Sequence, residues 1–261
     1  MKFNELLRLP GVRYSPHGNV FWIPRPNPAL EKRLDKHLVR IGPLQWIRGV
    51  EDSPLILDLK TVRGIAKGMS LAIYGKGPSE ALFDTQRHAP EIGIYCNHAA
   101  QVRKPDELAR RCFVVIQDAF VDTDGQAFGV KPPAGSYPVV PVGGHHLWPD
   151  REKFVYNPAK KIVPVDRWDG ASLPFGPGTI HPALYLAAVM EPEEIYLVGC
   201  DADESGGKIY SDRVAMVIAP GRDAKHYRKF NRKVDDMAKA LHLKVVWFHR
   251  VIKERGINGA G

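Results

Sequence analysis

The sequence predicts an α/β protein of the Rossmann-like class, with a mostly parallel sheet and helices on both faces. Short apolar runs of strand length alternate with segments of helix-forming residues, an order that favours parallel strands. One run breaks into a glycine-rich turn followed by helix-forming residues, which is the outline of a strand, a tight loop and a helix start. We predict one such domain over residues 53–261, preceded by an arm over residues 1–52.

The arm is predicted to be extended, basic and rich in proline and aromatic residues, with one short helix around residues 29–39. The first fifty residues hold 9 lysines and arginines against 3 acidic residues, and residues 221–261 hold 11 against 4, so positive charge gathers at the two ends. Basic ends of this kind indicate an anionic partner, such as nucleic acid, a phosphorylated substrate or an acidic glycan. Solvated surface lysine and arginine is the alternative explanation.

The domain is organised around a strand at residues 70–74 and the turn that follows it. Gly75 and Gly77 allow backbone torsions and close approaches that a Cβ would block, Pro78 suits a first helical position, and Ser79 can cap exposed amides. The amides and dipole of a helix start favour an anion, most often a nucleotide phosphate, although a turn without a ligand has the same outline. The candidate phosphate-binding residues are Gly75, Lys76, Gly77, Pro78 and Ser79.

Further elements on either side of this turn extend the predicted sheet. They are strands over residues 54–59, 91–96 and 112–117, a helix over residues 80–88 and a brief helix over residues 106–111. Residues 121–177 then form a long irregular insertion rich in proline and glycine, which is more often a lid or a substrate loop than a linker. Its adjacent histidines, His145 and His146, would point to opposite faces of a strand and so make a poor metal site.

The C-terminal part of the chain predicts a buried helix and the last strands. Residues 178–190 carry small and apolar residues all round the helix, a pattern that indicates burial. A strand over residues 194–199 ends in a turn that holds Asp201 and Asp203, and carboxylates at the carboxyl end of a central strand lie where α/β sheets bind ligands. The remaining predictions are a strand over residues 214–219, a basic helix over residues 223–241 and a strand over residues 244–248.

Composition also narrows the class of protein. No apolar run reaches the roughly 18 residues that a membrane span needs, and the first residues lack the apolar core of a signal peptide. We therefore expect a cytoplasmic protein. The cysteines at positions 96, 112 and 200 are widely spaced and lie in or beside apolar runs, which predicts buried free thiols rather than disulfides or a zinc site.

The order of these motifs resembles that of a superfamily of transferases. The motifs are the glycine-rich turn, Tyr95-Cys96-Asn97, Gly178-Thr179 before an apolar helix, and the strand from Glu194 to Asp201. They are similar to motifs of the bacterial family 42 sialyltransferases, the motility-accessory glycosyltransferases and the MptE-like 6-hydroxymethylpterin diphosphokinases. The resemblance covers residues 70–97 and 178–241, and the serine that usually precedes the glycine of the helix motif is absent.

The resemblance implies roles for individual residues. It makes the glycine-rich turn the nucleotide-phosphate loop and Asn97 a nucleotide contact, with Gly178 and Thr179 lining the same cleft and Asp201 at its floor. The sialyltransferases place a histidine base after that aspartate, and His226 is similarly placed here. His181 is the competing base, since it opens the buried helix beside Thr179.

The function expected first is glycosyl transfer from a nucleotide sugar to an acidic or polymeric acceptor, such as a glycan or a modified nucleic acid, without a required cofactor. The acceptor would lie against the basic ends, through Arg13, Trp22, Arg25, Arg228, Lys229 and Arg232. One alternative is an MptE-like diphosphokinase that uses Mg²⁺, with Asp201, Asp203 and Asp118 as ligands. Another is a nucleic-acid-binding protein in which the α/β domain is only a scaffold.

Overall fold

The computed structural model describes residues 8–15, 20–36, 38–42, 45–48, 55–83, 90–117, 130–144, 148, 150–201, 211 and 224–254. Its strands are β1 (Arg13–Ser15), β2 (Val20–Trp22), β3 (Leu38–Gly42), β4 (Gln45–Arg48), β5 (Ile56–Leu57), β6 (Ser70–Tyr74), β7 (Ile92–Cys96), β8 (Arg111–Val115), β9 (Tyr137–Pro141), β10 (Lys153–Ala159), β11 (Ser172–Pro174), β12 (Glu194–Val198) and β13 (Val245–Trp247). Its α-helices are α1 (Pro28–Leu34), α2 (Ile180–Met190), α3 (Ala224–Ala240) and α4 (Phe248–Glu254).

The main sheet has nine strands among the described residues, and each of its strand pairs is parallel. The strand order is β11-β10-β9-β8-β7-β6-β12-β13, with β5 beside β10. The order reverses between β6 and β12, and ligands of open α/β sheets bind at such a switch point, outside the carboxyl ends of the strands. The predicted α/β class with a mostly parallel sheet is confirmed.

The two faces of the sheet carry separate apolar clusters, because successive side chains of a strand point to opposite sides. On β6, Leu71 and Ile73 join the cluster under α2 and α3, while Ala72 and Tyr74 join the cluster on the other face. That second face is covered by short 3-10 segments and by Phe248 of α4. Helix α2 is buried from His181 to its end, as its apolar composition predicts.

The segment predicted as an irregular insertion contains strands. Three of them, β9, β10 and β11, continue the parallel sheet beyond β8. Proline removes a ladder donor, so Pro138 and Pro141 argue against a strand at β9 on sequence grounds. Val139 and Val140 are nevertheless fully buried on opposite faces of the sheet, and their burial offsets the lost hydrogen bonds.

The N-terminal segment also differs from the expected extended arm. Its described residues form an antiparallel sheet of four strands in the order β1-β2-β4-β3, together with α1. A short helix is present as predicted but ends at Leu34, before β3 begins within the predicted range. Asn27 caps this helix by accepting a hydrogen bond from the amide of Leu30. Phe21 and Leu34 lie at the centre of a small core of their own. The domain boundary near residue 52 stays a prediction.

The other predicted helices and strands agree only in part with the structure. Of the helix predicted over residues 80–88, the first residues belong to a 3-10 helix, Pro78–Leu82, and Phe83 is extended with φ −79° and ψ 109°, whereas residues 84–88 lie outside the described residues. The brief helix near residue 106 is a 3-10 turn, Pro105–Glu107. The strand predicted over residues 214–219 lies outside the described residues. Among the described helices, none has the length and apolar character to cross a bilayer.

A buried ion pair fastens the 3-10 helix after the glycine-rich turn to the segment that follows β7. Arg103 Nη2 lies 2.8 Å from Glu80 Oε1, and the two side chains are only 2% and 1% exposed. The guanidinium also lies 4.3 Å above the ring of Tyr74, which stacks on Tyr95 with ring centroids 4.5 Å apart. The sequence-based interpretation missed this pair, because nothing in the local pattern marks either residue as buried.

We expect Arg103→Met to lower the free energy of unfolding by about 3–5 kcal/mol, because the change leaves the carboxylate of Glu80 buried without its partner. Urea denaturation measures the loss. The matched control is Arg110→Met at an exposed arginine, for which we expect a change within about 0.5 kcal/mol. Equal losses in the two variants would contradict a structural role for the pair.

Candidate active site at the carboxyl edge of the sheet

The glycine-rich turn after β6 packs directly on the turn after β12. Gly75 donates its amide to Val198 O at 2.7 Å, and Gly77 donates its amide to Gly199 O at 2.6 Å. A Cβ on Gly75 would collide with the carbonyl of Gly199, and one on Gly77 would collide with the carboxylate of Asp201. The glycines are therefore required by the contact between the two turns.

The side chain of Asp201 lies against the start of the 3-10 helix Pro78–Leu82, where the sequence predicts a bound phosphate. Its carboxylate accepts hydrogen bonds from Ser79, from the amide at 3.0 Å and from the hydroxyl at 2.9 Å. Ser79 Oγ in turn accepts a hydrogen bond from the amide of Gly199 at 3.0 Å. The hydroxyl of Ser79, expected to cap exposed amides of the helix start, accepts instead from a buried amide in the turn after β12, and the 3-10 helix has no side-chain cap at Gly77. The amide of Ser79 donates to a protein carboxylate, so a phosphate at this position would have to displace that carboxylate.

Lys76 places its charge towards the end of the next strand. Burial raises the pKa of the Cys96 thiol to about 12, and the Lys76 ammonium opposes that shift. The cation thus lies close to the carboxyl end of β7. Nucleotide binding by the loop stays a prediction, and we expect the side chain of Lys76 to make the main contribution to it.

Asn97 and Thr179, both predicted to contact the nucleotide, lie next to each other. Asn97 follows β7 with a left-handed backbone, φ 52°, a conformation that asparagine adopts more readily than most residues. Its Nδ2 donates to Thr179 Oγ1 at 3.0 Å. Thr179 is buried and stands immediately before α2. The contact therefore joins the end of a central strand to the start of the buried helix.

His181 lies in the first turn of α2 with its ring orientation determined by the backbone. Its Nδ1 is 3.0 Å from Gly178 O, so the carbonyl selects the tautomer with the proton on Nδ1 and leaves a lone pair on Nε2. The ring packs against Gly176 and stands edge-on to Phe230. Nε2 is buried and has no hydrogen-bond partner among the described residues.

The electrostatic surroundings keep His181 neutral. Burial lowers the pKa of its imidazole below the ordinary value, and the nearby charge of Lys233 lowers it further, while the Gly178 carbonyl opposes the shift. A neutral imidazole with a free Nε2 can accept a proton from a hydroxyl group. Of the catalytic candidates whose side chains the structure describes, His181 therefore has the chemistry of a general base.

Gln117 was not predicted from the sequence and lies at the same edge of the sheet. It follows β8, is buried, and donates from Nε2 to Gly176 O at 2.9 Å. Its Oε1 has no partner among the described residues. In the sequence, Gln117 could have been recognised as a polar residue at the end of a predicted buried strand. Gly176 thus lies between Gln117 and His181, which connects the end of β8 to the start of α2.

The other predicted residues are not all brought to this edge. Arg13 and Arg25 are exposed and Trp22 is half-buried in the N-terminal segment, whereas Arg232 is exposed on α3. His226, Arg228 and Lys229 belong to α3, but their side chains lie outside the described part of the chain, as do Asp118 and Asp203. Within the described residues no group of His, Cys, Asp and Glu side chains could hold a metal ion.

Comparison with known proteins gives only distant structural likenesses. No protein-family model matches the chain, and no curated protein is similar to it in sequence. Among solved structures, it is similar to the sialyltransferase CST-II in complex with a trisaccharide acceptor and CMP, with a TM-score of 0.39 and 13% identity over 69% of this chain and 80% of that chain. We base no functional assignment on a likeness of this degree.

We expect Asp201→Ala to lower the free energy of unfolding by about 2–4 kcal/mol, since the amide and hydroxyl of Ser79 would both lose a buried acceptor. Asp201→Asn retains one acceptor oxygen and should cost about half as much. Urea denaturation compares them with Asp236→Ala, an exposed aspartate of α3. If Asp201→Ala is no more costly than this control, Asp201 does not hold the two turns together.

Proposed function

We propose that the protein is a glycosyltransferase that moves a sugar from a nucleotide-sugar donor to an acceptor hydroxyl, with His181 as the general base. The observation that carries the proposal is the buried, neutral imidazole of His181, whose Nε2 is unpartnered among the described residues and which lies two residues after Thr179. It lies at the sheet edge where α/β proteins bind ligands. A base near an acceptor hydroxyl is what this chemistry needs.

The proposed reaction is a single displacement. Nε2 of His181 takes the proton of the acceptor hydroxyl as its oxygen attacks the anomeric carbon of the donor sugar. The bond between that carbon and the phosphate oxygen breaks, and the nucleotide leaves with the electron pair. The ammonium of Lys76 would stabilise the negative charge that develops on the leaving phosphate.

The remaining site residues position the donor. In this proposal Asn97, Gly178 and Thr179 contact the nucleotide, because they line the edge between β7 and α2. Asp201 acts indirectly, as it holds the glycine-rich turn through Ser79. The acceptor is proposed to be acidic or polymeric, and the exposed cations Arg13, Arg25 and Arg232 suit such a molecule.

Asp201 already takes part in the contact between the two turns. Both of its carboxylate oxygens accept from Ser79, so a Mg²⁺ ion bound by Asp201 would share the oxygens that hold the glycine-rich turn. Mg²⁺-dependent diphosphate transfer is the second candidate. It requires Asp118 and Asp203, which lie outside the described residues.

Calorimetric titration with CMP, UDP, GDP and ATP tests the nucleotide site. We expect one of these to bind, and Thr179→Val to weaken that binding about tenfold, since it removes a hydroxyl from the site. The control is Thr61→Val at an exposed threonine. No binding at millimolar concentration would refute the nucleotide-sugar proposal. Turnover that stops in EDTA and returns with Mg²⁺ would instead favour diphosphate transfer.

Replacing His181 should separate the chemical step from binding. We expect His181→Gln to lower kcat by about 10²–10⁴ with nearly unchanged nucleotide affinity, because a positioned base contributes to the proton transfer alone. His226→Ala should keep most of the activity. The reverse pattern would make His226 the base, as the resemblance implies.

The pH dependence provides an independent test of His181. Burial lowers the pKa of its imidazole below the reference value of about 6.5, so the ring is still mostly neutral at that pH. We expect the acidic limb of the kcat/KM profile to lie below that pH, since protonation of Nε2 removes the base. A limb at higher pH would contradict the assignment.

A further inference from the structure

A cavity of about 370 Å³ lies beside the candidate active site, where the segment after β10 folds back over β11 and α2. Three basic side chains, from Lys160, Lys161 and Arg167, line it. Its apolar wall includes Pro174 and Tyr185. A pocket with an apolar wall and convergent charged groups suits a small organic ion.

The acidic lining residue, Asp169, does not neutralise these three cations. Its Oδ1 accepts from the amides of Ala171 and Ser172 at 2.9 and 2.7 Å, and its Oδ2 accepts from Ser172 Oγ at 2.6 Å. Burial would raise the pKa of Asp169, but the hydrogen bonds from Ser172 and Ala171 outweigh burial and lower it. The carboxylate is thus ionised and held by its own turn. Its one negative charge offsets only one of the three cations, so the lining of the cavity keeps a net positive charge.

Tyr185 holds the segment after β10 against α2. Its hydroxyl donates to Val163 O at 2.9 Å, and burial raises the pKa of Tyr185 to about 12, so the group stays a neutral donor. The indole of Trp168 donates to Ser172 O at 2.7 Å and fastens the far end of the same segment. The buried side chains of Tyr185 and Trp168 therefore hold the segment that carries the exposed basic residues of the cavity.

The cavity and the candidate active site share one wall. Pro174 lines the cavity, and Gly176, two residues later, packs against His181. Between them Phe175 is 53% exposed, and its amide donates to Ala159 O. On α2, Tyr185 follows Thr179 by six positions, which is about 9 Å along a helix axis.

We propose that this cavity binds the anionic group of a sugar that carries a carboxylate or a phosphate, with the sugar ring against the exposed face of Phe175. Arg167 can accept such a group in a bidentate manner, with Lys160 and Lys161 supplying further charge. The inference rests on the proposed function in one respect, because it makes this sugar the acceptor. It assigns acceptor recognition to residues 160–175, in addition to the basic ends of the chain.

Calorimetric titration of the full chain with glucuronate, glucose 6-phosphate, glucose and inorganic phosphate tests the binding. We expect one of the two anionic sugars to bind at least about tenfold more tightly than glucose, and the tighter one identifies the anionic group. Lys161→Gln/Arg167→Gln should abolish that preference. The control, Lys67→Gln/Arg110→Gln, removes two exposed cations elsewhere and should leave it unchanged.

Several results would overturn the inference: equal binding of glucose and both anionic sugars, equal losses in the two double variants, or inorganic phosphate binding as tightly as glucose 6-phosphate. Thermal unfolding of both double variants confirms that they remain folded. A preference for an anionic sugar without nucleotide binding or turnover would support the cavity while refuting the glycosyltransferase proposal. Turnover with an unchanged acceptor KM in Lys161→Gln/Arg167→Gln would refute the cavity alone.

Discussion

The close contact between the turns after β6 and β12 determines where a ligand can bind. Gly77 donates its amide to the carbonyl of Gly199, and Ser79 donates its amide and its hydroxyl to the buried carboxylate of Asp201. These bonds join the two strands at the switch point of the sheet and use the donors that a phosphate would otherwise take. The candidate site residues Asn97 and Gln117 lie one and two strands further along, after β7 and β8.

The start of α2 determines the orientation of the proposed base. The carbonyl of Gly178 holds the imidazole of His181 in one tautomer, and burial keeps that imidazole neutral. The connection before the helix packs on the ring through Gly176, and its other end, at Pro174, lines the cationic cavity. One segment of about eight residues therefore positions the proposed base and separates it from the cavity.

The fold class and most inner strands could be predicted from local pattern. Strands β6, β7, β8 and β12 are short runs buried on both faces, and α2 is apolar all round, so each is recognisable without its neighbours. Strand β9 was missed because its prolines argue against a strand, whereas the burial of Val139 and Val140 depends on layers that come from distant parts of the chain. The small N-terminal sheet was missed for a similar reason, since pairing between strands is not visible in composition.

The sequence by itself determined which groups are available: a glycine-rich turn, Asn97 after one strand, Thr179 and His181 at the start of a buried helix, and Asp201 after another strand. Their roles were decided by tertiary structure. Asp201 is 122 residues from Ser79 in the chain, yet it satisfies the amide that the sequence assigned to a ligand. The ion pair of Glu80 with Arg103 and the cavity around Arg167 likewise depend on distant segments. Hydrogen bonding and desolvation act through space, so a linear pattern identifies candidate donors and acceptors without specifying their partners.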